Sequence, residues 1–189
     1  MLWDRGKPID LGTIAGSNNQ AFDINNHTQI VGFSGTADAS FIHAFVWEHG
    51  KMKDIGTLPG DTFSFAVGNN DNGQVVGISQ DSIGNSRGFI WENGVMRDIN
   101  SLIPIDSPLI VIEADDLNVF GQIIGLVFNT ENGQVQGFVA NPVSEDDTDA
   151  GVLTPLDLGA EGRLTPVVLP EQVRNRMLQR VRFGSPLGR

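Results

Sequence analysis

The chain has 189 residues, 40% of them apolar, and a formal net charge of −11. It is long enough to bury a real core and too acidic to track a phosphate backbone, so nucleic acid is excluded as a partner. With no cysteine it has no disulfide and no thiolate metal site.

The chain contains no run of about 18 apolar residues, so no transmembrane segment is expected. No basic stretch followed by an apolar one opens it, so no signal peptide is expected either. The charge is unevenly spread. Residues 1–140 carry 6 basic and 16 acidic side chains, and residues 141–162 carry none and six. Residues 163–189 carry six arginines against the single acid Glu171, a net of +5.

In chain order, the first signal is Leu2-Trp3-Asp4-Arg5-Gly6-Lys7-Pro8-Ile9-Asp10-Leu11-Gly12. It returns as Val46-Trp47-Glu48-His49-Gly50-Lys51-Met52-Lys53-Asp54-Ile55-Gly56, and again from Ile90 to Asn100. Trp3, Trp47 and Trp91 are 44 residues apart each time, as are Asp10, Asp54 and Asp98. A fixed period of this size is the mark of a repeat architecture.

Within each unit the aromatic segment (Phe45 to Glu48) and the following one (Lys51 to Gly56) flank an X-Gly pair. That pattern predicts a tight hairpin, because glycine supplies the positive φ the turn needs. A polar loop follows, Leu58-Pro59-Gly60-Asp61 in the second unit. A third strand is expected over Phe63 to Asn69, a turn at Asp71-Asn72-Gly73, and a fourth strand over Gln74 to Ser79.

These later strands recur too. Ala21, Ala66 and Ala114 correspond, as do Asn25, Asn70 and Asn118, then Gln29, Gln74 and Gln122, then Gly32, Gly77 and Gly125. The third unit is longer, with Ser101 to Glu113 replacing a shorter loop. A fourth aromatic segment, Gln136 to Ala140, puts Phe138 where Phe45 and Phe89 stand. Thr154 to Gly159 echoes Lys7 to Gly12.

Four antiparallel strands in about 44 residues is the arithmetic of a propeller blade. The expected fold is all-β, with about three four-stranded antiparallel units in a partial, open, propeller-like array and a tail containing a short helix. The repeat region covers 1–142, with units at about 2–45, 46–89 and 90–140. An acidic, proline-containing linker is expected over 143–169, a short basic helix over 170–183, and a disordered end over 184–189. In the helix, Val173, Met177 and Val181 form a stripe among Arg174, Arg176, Arg180 and Arg182. Such a helix suits an anionic membrane or an acidic partner. The reading preferred here is a frayed tail resting on the chain's own acidic repeats, since short isolated helices are marginal.

The candidate sites carry structural readings. Asp10, Asp54 and Asp98 would form a ligand ring if they converged, but a short Asp side chain after a strand ordinarily pins a turn. Asn69-Asn70-Asp71-Asn72-Gly73 lacks the ligand spacing and closing Glu of a calcium loop. His27, His43 and His49 have no metal-ligand spacing, and no Gly-x-Ser-x-Gly elbow occurs. Trp47 and Trp91 would stack on sugars if exposed, and at repeat spacing they are expected in the core between units. Phe45, Phe89 and Phe138 are expected beside them, with Gly32, Gly77 and Gly125 allowing close approach. No catalytic, cofactor or metal residue is assigned.

The units resemble the HAF repeat family, bacterial repeats named for a His-Ala-Phe tripeptide that stands here as His43-Ala44-Phe45. The match continues through Trp47, Gly50, Met52, Asp54-Ile55-Gly56-Thr57-Leu58, Ser64, Ala66, Asn70 and Gly73-Gln74-Val75-Val76-Gly77. Arg87-Gly88-Phe89 and Gln136-Gly137-Phe138 depart from the tripeptide. The resemblance spans about residues 1–142 and implies an extracellular or cell-surface repeat protein of β-propeller type, with no catalytic residues to carry over.

A closed propeller has roughly four to eight blades. Three units are therefore expected to be an N-terminally shortened product, a degenerate gene fragment, or a half-ring, which a homodimer would complete as six. The expected function is non-catalytic binding of a protein or glycan partner. The alternatives are a fragment of a propeller-type hydrolase or lyase, or a structural self-assembly module.

Overall fold

The computed structural model describes residues 1–16, 18–37, 41–143 and 167–182. They form thirteen strands and one helix. A hairpin of β1 (Leu2–Asp4) and β2 (Lys7–Ile9) comes first. A four-stranded antiparallel meander follows: β3 (Asn19–Ile24), β4 (Ile30–Gly35), β5 (Ile42–Glu48) and β6 (Lys51–Gly56). The second meander is β7 (Phe63–Asn69), β8 (Val75–Gln80), β9 (Ser86–Glu92) and β10 (Val95–Asp98). It is joined to the first by one parallel pair, Ile42 with Phe63.

A 3-10 turn at Ile99–Ser101 leads to β11 (Leu109–Leu117), β12 (Ile123–Asn129) and β13 (Gln134–Ala140). β11 therefore begins inside the segment expected as loop, and this third meander has three strands among the described residues. The Thr154–Gly159 echo and the 184–189 end lie outside the described residues. The sheets do not close on themselves. The hydrogen-bonded meanders are out of phase with the sequence period, because each begins at a unit's third strand and ends on the next aromatic segment, a hairpin in the first two and the single strand β13 in the third.

Three hairpins turn alike. Arg5-Gly6, His49-Gly50 and Asn93-Gly94 all have positive φ at both residues, the two-residue geometry that follows the natural strand twist. The first strand of each meander carries a bulge at the same place, at Ala21/Asp23, Ala66/Gly68 and Ala114/Asp116. Opposite each alanine stands Gly32, Gly77 or Gly125. A Cβ at these glycines would overlap the carbonyl oxygen of Gln20, Phe65 or Glu113. The repeated glycine is therefore the cross-strand complement of the repeated bulge.

The core lies in layers between the units. On β5, Phe45 and Trp47 turn toward Leu2, Leu11 and Ile30, while Ala44 and Val46 turn toward Phe89 and Trp91 of the next meander. Beyond it, Val76 and Ile90 pack with Val111, Ala114, Ile123 and Phe138. Ala44 to Trp47 of β5 and Gly88 to Trp91 of β9 read as unbroken apolar runs because both faces of these strands are buried there.

The helix α1 (Glu171–Arg182) closes part of the last layer. Leu169, Val173 and Met177 are buried against Ile110, Ile112 and Phe128. The Leu169 N–H donates to Asn85 Oδ1 at 2.9 Å, and the Pro170 carbonyl accepts from Val173 and Arg174. Residues 144–166 of the expected linker lie outside the described residues, and at its end Val167 and Leu169 pack on the sheet. Val173 and Met177 pack on the third meander, as the reading of a tail resting on the repeats has it, and that burial supplies the stability a short helix lacks by itself.

Candidate functional site

The turn between the first two strands of each meander is built on one asparagine. Asn25 Oδ1 accepts the N–H groups of His27 and Gln29, Asn70 Oδ1 those of Asn72 and Gln74, and Asn118 Oδ1 those of Phe120 and Gln122. Asparagine suits this position because a short side-chain carbonyl can fold back on the donors of its own turn. Its Nδ2 reaches the Oε1 of the glutamine four residues on, at 3.4 Å for Gln29 and 2.7 Å for both Gln74 and Gln122. Each glutamine in turn donates to the neighbouring strand end, at Glu48, Glu92 or Asn141.

The same asparagines cross from unit to unit. Asn25 Nδ2 donates to the Asn70 carbonyl and Asn70 Nδ2 to the Asn118 carbonyl, each at 2.9 Å. Other side chains reinforce the row. Asp71 accepts from the backbone N–H of Asn26 (2.9 Å) and from its Nδ2 (2.7 Å). Asn72 Nδ2 donates to the Val119 carbonyl at 2.8 Å, and Asn69 N–H to Asp23 Oδ2 at 2.9 Å. The hydrogen bonds from Asn26 hold the Asp71 carboxyl below its usual range. The three turns thus form one hydrogen-bonded rim. It presents Asn26 and His27, then Asn72, then Val119 and Phe120, the last of which is 77% exposed.

The opposite end of the sheets holds the aspartates. Asp10, Asp54 and Asp98 each accept the N–H two residues on, from Gly12 (3.0 Å), Gly56 (2.8 Å) and Asn100 (2.8 Å). They pin three separate turns. His43 faces Asp54 at 2.9 Å, and Arg87 faces Asp98 at 3.0 Å, at the same repeat position. Arg87 also meets Asp61 at 2.9 Å and donates to the Pro59 carbonyl. Burial raises the Asp61 carboxyl pKa above its ordinary value, outweighing the opposing pull of Ser79 and Arg87. Among the described residues no three His, Asp or Glu side chains converge as metal ligands.

Trp47 and Trp91 are buried between units, and Trp3, at the same repeat position, is 70% exposed. Phe45 and Phe89 are buried, and Phe138 is half-buried beside the second interface. His27 stands on the rim 3.9 Å from Asp71, and His49 is the first residue of its hairpin turn. The asparagine ladder is written in the sequence as the recurrence of Asn25, Asn70 and Asn118. Its direction across the units, from side chain to the next unit's backbone, depends on how the meanders stack. No helix among the described residues is long and apolar enough to cross a membrane. No family model, curated protein or solved structure matches this chain.

Proposed function

We propose that this protein is a non-catalytic β-repeat module that binds a protein or glycan partner, and that the asparagine-laddered rim is its contact surface. In this reading it is a propeller-like member of the HAF repeat family acting outside the cell or at its surface. The observation that carries it is the rim. Three turns from three units are locked to one another by side-chain hydrogen bonds, leaving Asn26, His27, Asn72 and Phe120 exposed in a fixed row. A pre-ordered row of polar groups ending in an exposed aromatic ring loses little entropy when a partner docks. The polar residues that could suggest chemistry, Asp10, Asp54 and Asp98, are committed to turns.

The test is capture of partners from an extracellular protein and glycan panel by the wild-type chain and by a His27→Ala/Phe120→Ser double variant. The expected result is a ligand held by the wild type and released at least tenfold more readily by the variant, with an unchanged melting temperature. Equal binding by both forms, or no ligand across the panel, refutes the assignment of the rim.

A further inference from the structure

Each interface between units repeats one construction. Val31 and Val46 are cross-strand partners on β4 and β5, and they share a cluster with Phe89, Trp91 and Met96 of the next meander. Val76 and Ile90 are partners on β8 and β9, and they share a cluster with Phe138 and Ala140. At the head of the chain, Leu2 packs with Phe45, Trp47 and Met52. The aliphatic face of every unit is thus covered by the aromatic face of the next.

Two faces break this rule. Ile124 and Val139 are cross-strand partners in the positions of Val31/Val46 and Val76/Ile90, yet they are 45% and 65% exposed. The helix α1 covers the other half of that face, over Ile110, Ile112 and Phe128, and among the described residues nothing covers this pair. At the opposite end, Trp3 and Pro8 are partners in the positions of Trp47/Met52 and Trp91/Met96. Both are exposed. One face is an aliphatic socket without its tryptophan, and the other is a tryptophan without its socket.

We propose that these are the two halves of one interface, and that a second copy of this chain supplies the complement. Trp3 and Pro8 of one copy pack on Ile124 and Val139 of another, continuing the series of unit interfaces from chain to chain. The contact is head-to-tail. It therefore forms a ring where the rotation between copies closes and an open string where it does not. The interface is distinct from the rim, so loss of partner binding and loss of self-association are separate results.

Light scattering and sedimentation across a concentration series test it, using the full chain, Trp3→Glu and Val139→Glu. The wild type is expected to associate. Each variant alone should do so at least tenfold more weakly, with an unaltered melt because both positions are exposed. An equimolar mixture of the two variants should recover association but stop at a dimer, since only one intact interface can form. A wild type that stays monomeric at high micromolar concentration overturns the proposal. Association untouched by either variant, or a mixture that stays monomeric, overturns it as well.

Discussion

The carboxamide of Asn70 donates to the backbone carbonyl of Asn118 at 2.9 Å while its own oxygen closes the turn of its own unit. One side chain therefore does two jobs, shaping a turn and registering one sheet against the next. Asn70→Ala removes both and should destabilise the fold by about 2–3 kcal/mol, since it strands three partly buried backbone partners. Asn70→Asp keeps the turn acceptor but sets oxygen against the Asn118 carbonyl, and it should cost nearly as much. Asn118→Ala, at the exposed end of the ladder, should cost about 1 kcal/mol or less. Denaturant midpoints of the three variants check this order, and a larger loss at Asn118 than at Asn70 would contradict it.

Trp47→Ala should cost about 3–5 kcal/mol, as expected for deleting a buried aromatic side chain. Trp3→Ala, at the same repeat position but exposed, should leave the melting of a dilute monomer nearly unchanged. A thermal melt of both variants under dilute conditions measures the contrast.

Gly77→Ala should destabilise by about 3 kcal/mol, the upper part of the range for overpacking. The added Cβ meets the Phe65 carbonyl oxygen and the edge of the Phe89 ring. Gly50→Ala meets nothing and suffers only from its positive φ, so it should cost less, about 1 kcal/mol. Chemical denaturation of the pair distinguishes steric overlap from backbone preference.

The two shifted carboxyls act in opposite directions with pH. Asp71 titrates below its ordinary 3.8 because Asn26 donates to it. Its contribution is present above 3.8 and lost as pH falls through the folded-state value. Asp61 is raised, chiefly by burial. Its contribution is present below 3.8 and lost as pH rises through the folded-state value. Asp71→Asn should therefore flatten the acid limb of the stability curve. Asp61→Asn should become less unfavourable relative to wild type as pH rises from about 3 to 7. Urea unfolding over that span checks both signs.

Much of the fold was legible because the period repeats chemistry that acts locally. The X-Gly turns show in sequence because positive φ at adjacent residues favours glycine. The β6 and β7 spans coincide with their expected ranges, and the turn roles of Asp10, Asp54 and Asp98 follow from a short side chain two residues from its donor. The extent of β11 was not legible, because Val111 to Glu113 match Phe63 to Phe65 in position but not in residue type, and Leu109 and Ile110 carry the strand two residues further back than β7. The role of Gly32, Gly77 and Gly125 was legible only as close approach. The bulge that makes the approach necessary lies on another strand.

The sequence by itself determined the all-β character, the turns, and the set of positions that recur. These depend on φ preferences, apolar patterning and side-chain to backbone contacts within a few residues. Only the tertiary structure decided which face of each strand meets which neighbour. It set Asn25 and Asn70 to bond across units, left Trp3 exposed where Trp47 and Trp91 are buried as their spacing led one to expect, and docked Val173 and Met177 on the third meander. Those outcomes depend on the stacking of sheets distant in sequence. Identical residues at identical repeat positions acquire different environments there, according to whether a neighbouring unit covers them.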